Sequence, residues 1–456
     1  MEKILRFFEK YIIPKFLYRF GQPIYHYLLS FIGAFIYRFP SRKLIIIGVT
    51  GTKGKTTTCN LIHHILNSSG HKTGLITTVN FKIGDKEWQN GLKQTMPGRF
   101  YLQKLLKQMS KEGCEYAVVE TSSEGILQYR HQFIDYNVAV FTNLTPEHLE
   151  RHNGFENYRT EKVKLFEKVA SKNGIGVYNL DDENVEYFLR PEMKEKYGHL
   201  VNSKQSTDNR QHVKVKNILE IKNIKLSSNV TEFEVGDVKY KTNLLGEFNV
   251  YNCSTAISVA MSQNITVEQI QKSIESFKPI SGRMEIIDEG QDFAVIIDYA
   301  HEPNSLESIY KAVKETQMIS LADSGQVNHR AKMICLLGSC GGGRDKWKRP
   351  LMGKIAATYC DEIILTNEDP YDENPEVILD EIEAGFLQIL NFKLQILKNY
   401  WKIIDRKEAI KKALSLAKKG DAVVLTGKGG EMWMCVKNGK KISWDEKEIV
   451  IEILKL

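Results

Sequence analysis

The stretch from Lys43 to Asn60, KLIIIGVTGTKGKTTTCN, limits what this chain can fold into more than any other. Leu44 to Val49 form a mostly β-branched run that reads as a buried parallel strand. It ends in a loop bearing Gly51 and Gly54, then Lys55-Thr56-Thr57-Thr58, after which Leu61, Ile62, Ile65 and Leu66 recur at helical spacing. Strand, glycine loop, lysine and hydroxyl, then helix is the layout of a phosphate cradle. Backbone N–H groups and the helix N-terminus face an anion, and the glycines admit it closely. In that layout Gly51, Thr52, Lys53, Gly54, Lys55, Thr56 and Thr57 surround nucleotide phosphates, Lys55 reaching the β/γ-phosphates and Thr56 holding Mg2+. Val49 stands where a full-length P-loop has its first glycine, so the loop is the shorter G-x-x-G-K-T form. Such a string also occurs in ordinary strand-to-helix turns; here the flanking strand and helix favour phosphate binding.

A chain of 456 residues has room for two or three domains, and 42% hydrophobic content is ordinary for a soluble protein. The net charge is +7, but the first 43 residues hold eight of the cations (Lys3, Arg6, Lys10, Lys15, Arg19, Arg38, Arg42, Lys43) against Glu2 and Glu9. The nearly neutral remainder argues against nucleic acid as a partner. The seven cysteines lack C-x-x-C spacing, which suggests neither a zinc site nor a disulfide framework and fits a reducing cytoplasm.

Residues 1–43 form a basic and aromatic arm. Leu5, Phe8, Ile12 and Phe16 lie at helical spacing, Pro14 interrupts, and a second apolar stretch runs from Ile24 to Tyr37. It is too short for an unstrained membrane span, which needs about 20 apolar residues. Two readings stay open: a helix pair in the interface of the inner membrane face with its cations on anionic lipid, or an arm packed on the body or on a partner.

From 44 to 280 strands at Tyr116–Glu120 and Val138–Thr142 alternate with helical segments, a βαβ rhythm that predicts a parallel sheet. Ile224 to Leu245 instead shows short alternating runs with turn signals, a small antiparallel appendage, and a helix follows from about Val250 to Met261. From 281 to 456 the rhythm restarts with strands at Ala294–Asp298, Met333–Leu337, Glu362–Thr366 and Ala422–Thr426, and helices near Leu351–Tyr359, Val377–Phe386 and Lys407–Lys418. Ser203–Gln211 and Ser320–Arg330 read as polar loops.

Open parallel sheets place ligands at the C-terminal ends of their strands. Glu120 ends YAVVE there, and the next strand ends at Phe141-Thr142-Asn143, its loop carrying Glu147, His148 and His152 before Lys162 on a helix. A carboxylate on a strand beside the cradle is a natural second Mg2+ ligand, because hard cations take oxygen.

These residues belong to a longer series: GVTGTKGKTTT (Gly48–Thr58), ETSSEG (Glu120–Gly125), FTNLTPEHLERH (Phe141–His152), YRTEKVKLF (Tyr158–Phe166), GEFNVYN (Gly246–Asn252), SGRMEII (Ser281–Ile287), IDYAHEPNSL (Ile297–Leu306), GSCGGGRDKWKRPLMG (Gly338–Gly353) and TGKGGE (Thr426–Glu431). In this order they resemble the Mur ligases, most closely the branch adding the third amino acid to UDP-N-acetylmuramoyl-dipeptide in peptidoglycan synthesis. The resemblance implies an α/β architecture: a P-loop-type central ATPase domain with a parallel sheet and the antiparallel appendage, and a C-terminal Rossmann-like doubly wound domain closing over it. It implies an ATP- and Mg2+-dependent ligase, monomeric, that phosphorylates a carboxylate and lets an amine attack the acyl phosphate. Lys55, Glu120, His148 and Lys162 become its catalytic group, with Thr56, Glu120, His148 and a carbamylated Lys162 at the metal. Asn252, Arg283, Asp298, His301 and Asn304 join the cradle in holding ATP. Thr95, Ser122, Gln128 and Arg130 hold the UDP-muramoyl-peptide, and Arg344, Glu368, Asp369, Tyr371, Gly427 and Glu431 complete the substrate site. Without the resemblance, Lys162 reads as a surface lysine, Asp298 as a strand-end turn residue and Asn252 as a helix cap. A ligase for a folate or poly-amino-acid acceptor is the enzymatic alternative. A non-catalytic nucleotide-binding scaffold at the membrane is the other, disfavoured because Lys55, Glu120, His148 and Lys162 occur together.

The sequence departs from the family in places. Only about 43 residues precede the cradle strand, where the family has a domain for uridine diphosphate, which leaves the nucleotide-sugar handle of the acceptor open. Glu124, Pro146-Glu147 and Gly430 replace a histidine, Arg-Asp and a histidine. Diaminopimelate-adding members carry Asp-Asn-Pro-Arg where this chain has Glu368-Asp369-Pro370-Tyr371 followed by Asp372 and Glu373. Losing the arginine and gaining acids predicts lysine-like amines ahead of diaminopimelate, with Arg344 and Glu431 placed for the α-carboxylate and distal ammonium.

Overall fold

Helix α1 (Lys15–Ile36) runs uninterrupted through Pro23 and leads by a 3-10 turn (Pro40–Lys43) into β1 (Ile45–Thr50) and α2 (Lys55–Ser68). The computed structural model describes residues 15–84, 86–92, 94–201, 215–316, 318, 331–390 and 399–455. The readings made for residues 1–14, Ser203–Gln211 and Ser320–Arg330 lie outside the described residues.

After α2 come β2 (Thr73–Ile76), β3 (Asn80–Ile83), β4 (Lys86–Gln89), α3 (Arg99–Lys111), β5 (Tyr116–Glu120), the short α4 (Ser123–Leu127), β6 (Tyr136–Phe141), the short α5 (Leu149–His152) and α6 (Phe155–Ala170). Then follow β7 (Ile175–Asn179), α7 (Val185–Leu189), β8 (Glu195–Val201), β9 (Asn217–Leu226), β10 (Thr231–Val235), β11 (Val238–Thr242), α8 (Glu247–Ser262) and α9 (Val267–Ser276). All eleven strands join one sheet, ordered β11-β10-β9-β8-β7-β6-β1-β5-β2-β3-β4. It is parallel from β2 to β9 and antiparallel at both edges, so the appendage of β9, β10 and β11 continues the main sheet. Because side chains alternate along a strand, Ile46 of β1 enters the core under α3 and α6, while Ile47 and Val49 enter the core under α2, α8 and α9. Burial on both faces explains the uninterrupted apolar run of β1. Its neighbours are β5 on one side and β6 on the other, so the strand order reverses at β1, where open α/β sheets leave a crevice.

A second sheet takes β12 (Glu285–Ile287), β13 (Ala294–Asp298), β14 (Met333–Leu337), β15 (Glu362–Leu365), β16 (Tyr400–Lys402) and β17 (Ala422–Thr426), ordered β12-β13-β17-β14-β15-β16 and parallel except for β12. One face is covered by α10 (Pro303–Glu315), α11 (Lys348–Tyr359) and α12 (Pro375–Leu390), the other by α13 (Arg406–Leu416) and α14 (Glu446–Leu454). A hairpin of β18 (Trp433–Val436) and β19 (Lys440–Ser443) lies between β17 and α14 in the chain. Helices α11 and α12 touch backbone to backbone: a Cβ on Gly385 would lie 1.8 Å from the Pro350 oxygen, and one on Gly353 1.9 Å from that of Ile382.

The cysteine reading needs correction. Cys335, inside β14, is joined by a disulfide to Cys360, which ends α11. The two stand 25 residues apart and meet only because α11 packs back onto its own sheet, which spacing along the chain does not reveal.

Three histidines are buried neutral. Burial lowers the imidazole of His63 to about 4 and those of His131 and His199 to about 3, from 6.5. The folded values lie below the unfolded one, so the unfolded chain takes up these protons first. The stability tied to the neutral rings is complete above pH about 6.5 and is lost as pH falls toward 4 and below, with a slope of up to about 1.4 kcal/mol per pH unit for each ring. The urea midpoint should therefore fall steeply between neutral pH and pH about 4.5, and His199→Leu should flatten that fall by about one proton.

Candidate active site

The C-terminal ends of β1, β5 and β6 open into a cavity of about 650 Å³ that the second sheet's loops close from the other side. The cradle is shaped by close approach. Gly54 has φ +78°, and a Cβ there would lie 2.2 Å from the Asn252 side-chain oxygen; Gly51 has φ +147°, and a Cβ there would lie 2.0 Å from the Thr142 hydroxyl. Asn143 Oδ1 accepts from the Lys53 N–H (2.8 Å), and Thr142 Oγ1 donates to the Lys53 carbonyl (2.7 Å), so the loop after β6 fixes the loop after β1.

Lys55 folds back onto the loop, donating to the carbonyls of Thr52 (2.7 Å) and Gly51 (3.1 Å). Lys162 donates to the same Gly51 carbonyl (2.7 Å) and lies 4.4 Å from the centre of the Tyr158 ring. Lys162 is 1% exposed, which overturns the surface reading: α6 turns this face into the site. Burial lowers both lysines, Lys162 well below 10.5, helped there by the positive charge of Lys55. Thr56 Oγ1 donates to Glu120 Oε2 (2.9 Å), and Thr78 holds both oxygens of that carboxylate, through its N–H (2.8 Å) and its hydroxyl (3.0 Å). The pair offers two hard oxygen donors, one at the start of α2 and one at the end of β5, a donor set that fits Mg2+. His148 lines the same cavity but turns to Glu147 (3.9 Å).

The other expected residues fall into three groups. Thr52, Lys53, Thr57, Asn252, Arg283, Asp298 and His301 line the cavity. The last three come from the second sheet: Arg283 stacks over Tyr299 at 4.2 Å, and Asp298 accepts the N–H groups of Met284 and Ala300 (both 2.7 Å). Thr95, Ser122, Gln128 and Arg130 line one wall, where Ser122 caps α4 and Arg130 donates to Gln128, to Gln94 and to the Met96 carbonyl. Gly51, Asn304 and Gly427 are not among the lining residues of this cavity: Gly51 backs the cradle with its carbonyl, Asn304 is exposed on α10, and Gly427 donates its N–H to Asp298 O (3.2 Å).

A smaller pocket of about 80 Å³ adjoins, lined by Arg283, Arg344, Lys348, Glu368, Asp369, Tyr371 and Glu431 among others. The expectation of a simply acidic pocket fails here. Asp369 is tied to Lys428 (3.0 Å) and to the Cys435 N–H (2.7 Å), and Glu431 takes Lys428 (2.6 Å) and the Tyr299 hydroxyl (3.3 Å). Glu368 accepts from Cys340 (2.9 Å), its other oxygen is buried without a hydrogen bond, and burial raises its carboxyl. Gly430 has its reason in the fold: a Cβ there would meet the Ser281 carbonyl at 2.8 Å.

Sequence reasoning missed Thr78, Tyr158, Tyr299 and Lys348, and placed Glu147 on the loop after β6 without assigning it a role. Glu147 is held well below 4.5 by Lys53 (3.2 Å), with His148 and His301 near by, against burial that raises it. Glu302, beside His301, pairs with Lys348 at 2.5 Å. The one available signal was Tyr158, four residues before Lys162 and so on the same helical face.

Among known proteins, the profile of the Mur ligase middle domain matches residues 49–260, and that of the Mur ligase glutamate ligase domain matches residues 282–429. The UDP-N-acetylmuramoyl-L-alanyl-D-glutamate--2,6-diaminopimelate ligase of Bacillus cereus is 35% identical over 434 residues, 93% of this chain and 81% of that protein. Such a ligase from Clostridium acetobutylicum is 36% identical over 433 residues, 94% of this chain and 81% of that protein. A solved structure of a ligase of that name is 26% identical, with TM-score 0.60, over 94% of this chain and 82% of that one.

Lys53 and Glu147 are buried enough that removing one partner strands the other's charge. Lys53→Met should lower the urea midpoint more than Lys53→Met with Glu147→Leu, and a double-mutant cycle should read a coupling of about 1–3 kcal/mol.

Proposed function

The chain belongs to the Mur ligase family of ATP-dependent amide-forming ligases, and on that premise we propose that it adds the third amino acid to a UDP-N-acetylmuramoyl-dipeptide as a cytoplasmic monomer. The observation that carries this reading is one cavity with the cradle, Lys55 and Glu120 on one side and Arg283, Asp298 and His301 on the other. A triphosphate laid along the cradle meets Lys55 and the N–H groups at the start of α2, while Arg283 and Asp298 hold its nucleoside end. The wall of Thr95, Ser122, Gln128 and Arg130 presents the acceptor carboxylate, one oxygen of which attacks the γ-phosphorus as ADP leaves. The incoming amine then attacks the acyl carbon, and phosphate leaves as the amide forms. Positioning and charge neutralisation carry both steps, with no nucleophilic side chain required. Mg2+, when bound, neutralises phosphate oxygens. Thr56 and Glu120 are its ligands in this reading, joined by His148 and by Lys162 as a carbamate. Burial favours the neutral amine of Lys162, which can add to the carbon of CO2 with loss of one proton. The product is an anion in place of a cation.

For the incoming amino acid, Tyr371 stands on the pocket where diaminopimelate-adding relatives carry arginine, so the bidentate partner of a distal carboxylate is missing. Arg344 takes the α-carboxylate, and Glu368, one oxygen of which has no hydrogen bond, faces a distal ammonium, with Glu431 already on Lys428. Phosphate release should be faster with lysine than with diaminopimelate, and Lys55→Ala or Glu120→Ala should lower it by roughly a hundredfold or more. Turnover with diaminopimelate but none with lysine would reverse the specificity reading while leaving the ligase reading intact. Lys162→Ala should be nearly inactive and partly restored by a small added carboxylate. A free amine at Lys162 in the intact mass of an active enzyme would remove the carbamate.

A further inference from the structure

Among the described residues, one face of α1 carries an apolar stripe that stays largely open to solvent. Ile24, Leu28, Phe31, Ile32, Phe35 and Ile36 recur at helical spacing, each 42 to 64% exposed, while Ser30, Gly33 and Ala34 on the opposite side are buried. Exposed apolar surface of this extent on one helix marks an interaction site. No Asp, Glu, Lys or Arg occurs from residue 20 to 37, but Lys15 and Arg19 precede the stripe and Arg38, Arg42 and Lys43 follow it, with no acid between Glu9 and Asp85. Among the described residues no helix is long and apolar enough to cross a membrane.

The buried side of α1 is tied to the acceptor wall. Ser30 Oγ donates to the Tyr129 carbonyl (2.8 Å), and Tyr27 meets Tyr129 and Phe133 edge-on. Arg99, at the start of α3, joins His26 (2.5 Å) to the Gln128 carbonyl (2.8 Å). Gln128 and Arg130, either side of Tyr129, line the cavity.

We propose that α1 docks this ligase on an anionic bilayer, its stripe in the acyl boundary and its flanking cations on headgroup phosphates, so that the Gln128–Arg130 wall is held at the membrane surface. An aromatic and aliphatic stripe between cations is the chemistry of an interfacial helix. A second copy fits worse, because pairing two stripes brings like-charged flanks together. The wall's role as acceptor site rests on the functional reading above, but vesicle binding is read without substrate, so the two fail separately.

The test uses the full chain and vesicles of phosphatidylcholine with or without phosphatidylglycerol. Co-sedimentation should be at least tenfold greater on the anionic vesicles and should fall with added salt, as screened contacts must. Phe31→Glu with Phe35→Glu should lose that binding at least tenfold and keep ATP-dependent phosphate release in solution. A fluorophore on Leu127→Cys, beside the wall, should be quenched by quencher-bearing lipids, and one on Val377→Cys, on α12, should not. Equal binding to both vesicles, no binding to either, or equal quenching at the two positions overturns the proposal. So does a dimer or a captured protein partner abolished by the same double substitution when no vesicle binding is found.

Discussion

Two lysine side chains meet at one carbonyl oxygen, that of Gly51, and the rest of the site is arranged around the cost of that meeting. Burial lowers both lysines, and the charge of Lys55 lowers Lys162 further, so Lys162 is the one that gives up its proton at this oxygen. Lys53, Arg283 and Arg344 line the same cavity. A triphosphate laid along the cradle would meet Lys55, with Arg283 and Arg344 across the cavity. The glycines of the cradle serve the same end, since any side chain at Gly51 or Gly54 would push the loop away from the groups that hold it.

The two sheets meet through charge. Glu147, from the loop after β6, faces Lys53 on one side and His301 on the other, and Glu302 beside His301 is paired with Lys348. Asp345 accepts the N–H groups of Leu149 and Glu150 (3.3 and 3.4 Å), tying a loop of the second sheet to the N-terminus of α5. Lys53–Glu147 and Glu302–Lys348 each lie within one half, and of these contacts the ones that cross between the halves are those of Glu147 to His301 and of Asp345 to the start of α5.

Much of this was legible in the sequence. Strands buried on both faces, such as β1, β5, β14 and β17, appear as unbroken apolar runs, and Glu120 stands out as the charge that ends one. The cradle was legible because its glycines, lysine and threonines are contiguous. What stayed hidden is non-local. Thr78 reaches Glu120 from a turn 42 residues away, and the disulfide joins a strand to the end of the helix crossing it. The smaller pocket was misread as simply acidic for the same reason: Lys428, which ties up Asp369, lies 59 residues further on. A local pattern of acids says nothing about cations that the fold returns to it.

The eleven-stranded sheet ends in β4 on one side and β11 on the other, and among the described residues neither outer edge pairs with a further strand. On β4 Lys86, Glu87 and Gln89 are exposed, and on β11 Lys239 and Lys241 are. A neighbouring chain that tried to extend the sheet would have to strip water from these charges and, at β11, lay lysine against lysine. So large a sheet would otherwise be a template for growth at both ends; its outermost residues make it a closed inventory of strands, and crowding of the ligase at a surface would not turn into fibres along its edges.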